Sequence, residues 1–123
     1  MPPAALVCNL LLTVKTLILA FCQMSIDLSI VLPAYDEEER LGGTVAKILG
    51  HLDAKSINAE LIVVDDGSGD RTANVARETA AAFPQIETNV ITYDENRGKG
   101  FAVKKGLLAA RSDLALFSDA DLS

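Results

Sequence analysis

Tryptophan is absent from the 123 residues, aromatic residues make up only 5%, and there is one histidine, His51. A single histidine leaves His-rich metal centres and most His-based catalytic triads without their parts. Cysteine is confined to Cys8 and Cys22, so the chain beyond has the makings of neither a disulfide framework nor a cysteine-ligated zinc site. Basic residues are outnumbered, 11 Lys and Arg against 17 Asp and Glu, for a net charge of −6. All the acidic residues follow Met24 and no basic stripe offsets them, which argues against sequence-independent nucleic-acid binding. Half of the residues are apolar and 23% charged, the balance of one folded domain rather than a disordered chain.

The first 24 residues stand apart. Residues 4–22 (AALVCNLLLTVKTLILAFC) form an apolar stretch about as long as a membrane span. Lys15 interrupts it, and an ammonium in mid-span costs about 2.5–3.5 kcal/mol on insertion scales. A cleaved signal fits poorly, since MPPAAL has no positive charge and no small-x-small cleavage pattern follows. Three expectations stay open for residues 1–24: a mis-assigned start before Met24, a membrane anchor, or a signal. Residues 25–123 are expected to form the domain.

Within that domain, short β-branched runs alternate with helical patterns. Leu28–Leu32 is a continuous apolar run ended by Pro33, a buried strand. Leu41, Val45, Ile48, Leu49 and Leu52 make the stripe of an amphipathic helix. Leu61–Val64 is a second strand. Asp70 is placed to cap a second helix bearing Val75, Ala76, Thr79 and Phe83, closed by Pro84. Ile86–Tyr93, Gly100–Ala110 and Leu114–Phe117 follow as strand, helix and strand. This β-α-β-α-β-α-β order predicts an α/β domain with a largely parallel sheet, and the apolar strands predict cover on both faces. Three polar clusters, PAYDEEER, DDGSGD and SDADLS, each follow the carboxyl end of a strand, where open parallel sheets bind ligands.

Each cluster has a chemical and a plain structural interpretation. Asp119 and Asp121 flank one residue, so in extended chain they project to the same side, and Mg²⁺ or Mn²⁺ would relieve their repulsion. A bare DxD also occurs as two loop carboxylates facing water. Asp65 and Asp66 offer acceptors to a ligand's N–H or hydroxyl groups, or else Asp66 and Ser68 close a local turn. Arg97-Gly98-Lys99-Gly100 brings two cations and two glycines to a helix start, suited to phosphate oxygens, though most such loops are simply exposed basic turns. It is not the dinucleotide fingerprint, because Val103 stands where the third glycine belongs. Asp36–Glu39 reads mainly as an acidic helix start, and Lys104 and Lys105 as a solvated helix face. His51 is assigned no role.

Taken together, IVLPAYDEEERL, VVDDGSGDRT, NRGKGFAVKKG and LFSDADLS resemble, in order and spacing, the N-terminal half of family-2 glycosyltransferases of the GT-A fold. The RGKG and FSDADLS blocks are similar to polyprenyl (dolichyl)-phosphate β-glucosyltransferases, with the polyprenyl-phosphate mannosyltransferases as near neighbours. The resemblance implies a Rossmann-like nucleotide-binding half, a nucleotide-sugar donor (UDP-glucose, or GDP-mannose on the neighbouring reading), inversion at the anomeric carbon and a polyprenyl-phosphate acceptor. Carried over by position, Pro33, Tyr35 and Glu37 border the nucleobase, with Asp65 or Asp66 accepting from its N–H and from ribose. Arg97 and Lys99 lie near base or diphosphate. Asp119 lies near ribose and metal, and Asp121 is the more direct ligand of Mg²⁺ or Mn²⁺.

The same resemblance implies a cytoplasmic site of work, at the face of a membrane that carries the acceptor. In such enzymes the acceptor-binding half and any catalytic base follow the DxD block. No catalytic residue is therefore assigned within 25–123, and a donor-binding part inactive in transfer by itself, with an open sheet edge, is expected. A rival from another class is the phospho-receiver domain, in which Asp65, Asp66 and Asp119 would gather around Mg²⁺. A complete strand and helix before the acidic pair, and the unexplained PAYDEEER and RGKG blocks, count against it.

Overall fold

A computed structural model describes residues 25–120; the apolar stretch 1–24 and Asp121 lie outside the described residues. Four strands and three helices alternate: β1 (Leu28–Ala34), α1 (Leu41–Ala54), β2 (Ala59–Asp65), α2 (Thr72–Ala80), β3 (Glu87–Thr92), α3 (Lys99–Ala109) and β4 (Ala115–Phe117). The strands form one parallel sheet in the order β3-β2-β1-β4. Ile30 sits beside Leu61 and Leu116, and Ile62 beside Asn89.

Strand alternation sorts the core into two layers. Ile30, Leu32, Leu61 and Val63 face α1 and α2, meeting Leu41, Val45, Leu49 and Ala76. Val31, Ile62 and Val64 point the other way, onto Ala102 of α3. The helix α3 lies close on that face because residue 106 is glycine: a Cβ there would stand 2.3 Å from Val31 Cγ1. Helices on both faces, with the chain crossing from β3 to the far side of β1, make a doubly wound sheet whose strand order reverses between β1 and β4. Among the described residues no helix is long and apolar enough to cross a membrane.

Several expectations shift in detail. Pro33 does not end β1, which runs on to Ala34. Ser29 N–H donates to the Leu114 carbonyl and the Val31 carbonyl accepts from Ser118 N–H, so alternate residues of β1 aim their backbone at β4. Pro33, next in that series, lies past the last paired residue of β4, and its missing N–H costs no ladder bond. Phe83 falls beyond α2, in a tight turn where Phe83 N–H donates to the Ala80 carbonyl, because Pro84 disfavours helical backbone at the residue before it. Cover on both faces holds for β1 and β2, but β3 is only partly buried and Leu116 and Phe117 of β4 are exposed.

At the end of the sheet where the strands begin, a buried carboxylate ties the layers together. Glu60 accepts from Ser29 Oγ at 2.7 Å and from Arg111 N–H at 2.8 Å, and the Arg111 side chain reaches on to Glu87.

Candidate functional site

At the opposite end, the chain leaving β1 and β2 carries short polar residues whose own hydrogen bonds decide its course. Asp65 Oδ1 accepts from Ser68 N–H at 3.0 Å, closing a turn through Gly67. Gly67 has φ +72°, and a Cβ on it would lie 2.4 Å from the Glu95 carbonyl carbon, so only glycine lets this turn reach the loop before α3. Asp36, itself at φ +49°, donates its N–H to Ser68 Oγ at 2.9 Å, and its Oδ1 accepts from Gly69 N–H at 3.1 Å. Glu37 N–H donates to Thr72 Oγ1, and Glu38 Oε2 accepts from Arg71 N–H. The acidic run 36–39 is thus not a helix start. It precedes α1 and locks the β1 loop to the β2 loop.

Asp66 behaves differently from its neighbour. Its backbone N–H is fixed to the Ala34 carbonyl at 2.8 Å, and its buried carboxylate turns away from the local turn. Oδ1 accepts from Tyr93 Oη at 2.5 Å and Arg97 N–H at 2.9 Å, and Oδ2 from Gly98 N–H at 2.9 Å. Gly98, at φ +96°, delivers the chain into α3. The N–H groups of the first turn of that helix are those a helix leaves without internal acceptors, and they lend its start a partial positive charge.

Between these loops lies a cleft of about 390 Å³, outside the carboxyl ends of β1, β2 and β4 and at the reversal of strand order. Pro33, Tyr35, Glu37, Asp66, Lys99 and Asp119 line it, together with Asn96, Gly98 and Ala120. Lys99 Nζ pairs with Asp119 Oδ1 across the cleft, from the start of α3 to the loop after β4, and stands 5.9 Å from the centre of the Phe117 ring. The Thr44 hydroxyl of α1 donates to the Ala120 carbonyl and pins that loop from below. Glu37 is held by Arg40 at 2.8 Å.

Six of the positions expected to meet a ligand are therefore brought to one cleft, and two other described ones are not. Asp65 is buried and spent on its turn. Arg97 does not line the cleft; its guanidinium stands 5.3 Å over the Phe101 ring, beside Glu95. Asp121 lies outside the described residues. Asn96, Tyr93 and Thr44 went unread, the first two because nothing in a loop's composition says which residue faces inward. Thr44 looked like one more polar position on the helix.

Among the described residues no group of three or more His, Cys, Asp or Glu is arranged to hold a metal ion. Asp119 is nevertheless a partly open carboxylate at the cleft, already matched with a cation, and a hard divalent ion needs only one or two such oxygens when phosphates supply the rest. The donor chemistry fits Mg²⁺ or Mn²⁺.

Comparison with known proteins agrees with this geometry. The family model for glycosyl transferase family 2 matches residues 29–123. The chain is similar to the dolichyl-phosphate beta-glucosyltransferase of Drosophila melanogaster, 42% identical over 102 residues, which are 79% of this chain and 31% of that protein. The chain spans about a third of the length of these curated relatives, the mouse and human dolichyl-phosphate beta-glucosyltransferases included. Among solved structures it is similar to a mannosyltransferase of Pyrobaculum calidifontis in complex with GDP-Man and Mn²⁺, with a TM-score of 0.71 and 26% identity over 79% of this chain and 28% of the other. It is also similar to glucosyl-3-phosphoglycerate synthase from Mycobacterium tuberculosis in complex with Mn²⁺, UDP-glucose and phosphoglyceric acid, with a TM-score of 0.59 and 27% identity over 80% and 34% of the two chains. With four sequence blocks in register and a doubly wound sheet of the GT-A kind beneath them, the chain belongs to glycosyl transferase family 2.

Proposed function

We propose that residues 25–123 form the donor-binding part of an inverting glycosyltransferase that passes glucose from UDP-glucose to a polyprenyl or dolichyl phosphate at a membrane surface. The observation that carries this reading is the cleft at the strand reversal, where Asp119, Lys99 and the start of α3 converge. The names of the relatives supply the acceptor class and the sugar; neighbours solved with GDP-Man and with UDP-glucose leave both nucleotides to be tested.

In this reading Tyr35 and Pro33 give the base an apolar wall beside Glu37, and Asp66 keeps one acceptor direction for a donor on base or ribose. Lys99 and the first turn of α3 bind the diphosphate and stabilise charge as it grows on the leaving group. Asp119 and Asp121 would hold Mg²⁺ or Mn²⁺, which when bound supplies further positive charge to the same oxygens. The acceptor phosphate is anionic near neutral pH and needs less help from a base than a sugar hydroxyl does. No residue of 25–123 is given that role, and transfer is assigned to the longer assembly that the relatives represent.

Calorimetric titration of the chain with UDP and GDP, with and without Mn²⁺, tests the proposal. Mn²⁺-dependent binding that favours UDP supports it, and a preference for GDP replaces glucosyl with mannosyl transfer. Asp119→Asn removes the Mn²⁺-dependent part of the affinity while leaving the circular dichroism spectrum unchanged. A folded chain that binds neither nucleotide overturns the reading.

A further inference from the structure

Tyr93 follows β3 directly, lines no part of the cleft, and yet is joined to it by a short chain of contacts. Its hydroxyl meets Asp66, and Asp66 in turn holds the backbone N–H groups of Arg97 and Gly98. Its ring meets Phe101 of α3 edge to face, with centroids 5.4 Å apart, and the Arg97 guanidinium covers that same Phe101. The phenol therefore touches the end of β2 through a hydrogen bond and the first turn of α3 through its ring. Between these two contacts runs the Arg97-Gly98 segment, which launches Lys99 toward Asp119.

We infer that Tyr93 is a positioning residue for the nucleotide site: by fixing the Asp66 carboxylate it sets the path of Arg97-Gly98, and hence where Lys99 and the start of α3 stand. This rests on the function proposed above. An ionised carboxylate receiving three donors holds each more strongly than a neutral acceptor would. Without the hydroxyl, a buried Asp66 would be short of one partner and free to turn, and its two amide bonds would loosen with it. Gly98 is where that loosening matters, because glycine's wide backbone freedom leaves its positive φ to be held by outside contacts such as the one from Asp66. Burial, with the Asp66 carboxylate beside it, raises the phenol far above its ordinary pKa, so the hydroxyl remains a donor throughout the neutral range.

Tyr93→Phe in the 123-residue chain keeps the ring contact and deletes the clamp. The readouts are the amide NMR signals of Arg97 and Gly98, nucleoside-diphosphate affinity with Mn²⁺ present, and the thermal midpoint. The expected result is displaced, faster-exchanging Arg97 and Gly98 amides and a loss of affinity of about three- to tenfold, the weight of one hydrogen bond. A lowered midpoint with unchanged affinity and unchanged amides is the mark of a merely structural tyrosine and overturns the assignment. Hydrogen exchange on the unaltered chain keeps the test independent of the variant's folding: Arg97 and Gly98 amides exchanging as freely as exposed loop amides overturn it too. Failure of the parent chain to bind UDP or GDP overturns the proposed function and this role together, whereas full binding by Tyr93→Phe overturns this role alone.

Discussion

Asp70 illustrates how much a single loop carboxylate settles in this molecule. Its Oδ1 accepts from the Thr72 N–H at 2.9 Å and from the Thr72 hydroxyl, and its Oδ2 from Glu38 N–H at 3.4 Å, so from just before the cap position Arg71 it ties down the first residue of α2 and fastens the loop after β1. The Thr72 hydroxyl, foremost among these bonds, holds the Asp70 carboxyl below the usual carboxylate range. Because the folded value is the lower one, the stabilisation is complete above the unfolded value, near pH 4, and is lost as pH falls through the folded value. Asp70→Ala is expected to cost about 0.5–2 kcal/mol at pH 7, and urea titrations should show its gap to the parent narrowing below about pH 4. A gap that is the same at pH 7 and pH 3 would sink the argument. That Asp70 serves the start of α2 was legible in sequence, but the helix begins one residue later than expected, with Arg71 at the cap and Asp70 holding Thr72. What Asp66 does was not legible: its partners are thirty residues away, and only the fold brings Arg97 and Gly98 to it.

At the scale of elements, α3 shows where periodicity stops informing. Its boundaries were read to within a residue, and so was the exposure of Lys104 and Lys105. How closely the helix approaches the sheet was not, because a hydrophobic stripe names a face and says nothing about distance. Gly106 determines that distance. In an exposed helix interior Gly→Ala gains up to about 1 kcal/mol, but here the added Cβ meets Val31. Gly106→Ala is therefore expected to destabilise by about 1–3 kcal/mol, and combining it with Val31→Ala should cost less than the sum of the two single changes. Denaturant unfolding of all four proteins in the cycle measures this, and additive costs would mean that α3 shifts without strain. Pro33 and Phe83 make the same point for ends: Pro33 was read as a stop, but its place past the paired part of β4 lets the strand continue.

For the whole molecule, alternation of strand and helix predicted the α/β class and the parallel sheet, since short connections leave few other arrangements. The order β3-β2-β1-β4 is not written in any local pattern, yet it is what collects PAYDEEER, RGKG and SDA around one cleft. The same order leaves the outer edge of β4 without a pairing strand among the described residues. Leu108 is 77% exposed, Leu114 64% and Phe117 54%, large apolar side chains left uncovered on α3 and beside that edge. The chain is expected to self-associate as its concentration rises. Leu108→Lys with Leu114→Lys should shift sedimentation toward monomer without altering the circular dichroism spectrum, and an unshifted profile would place the contact elsewhere.

Pairing of β4 with β1 also has a consequence for how the chain is made. Ser29 and Ala115 are register partners, although nearly the whole described sequence separates them. On the ribosome, β1, α1 and β2 are complete long before β4 emerges, and β1 waits with one backbone edge open. The cleft cannot exist during that interval, because Asp119 and Ala120 arrive after the strand that closes the edge. The strand that closes the open edge of β1 is thus also the one that delivers the acidic loop, so a nascent chain cannot form its binding cleft until β4 has docked.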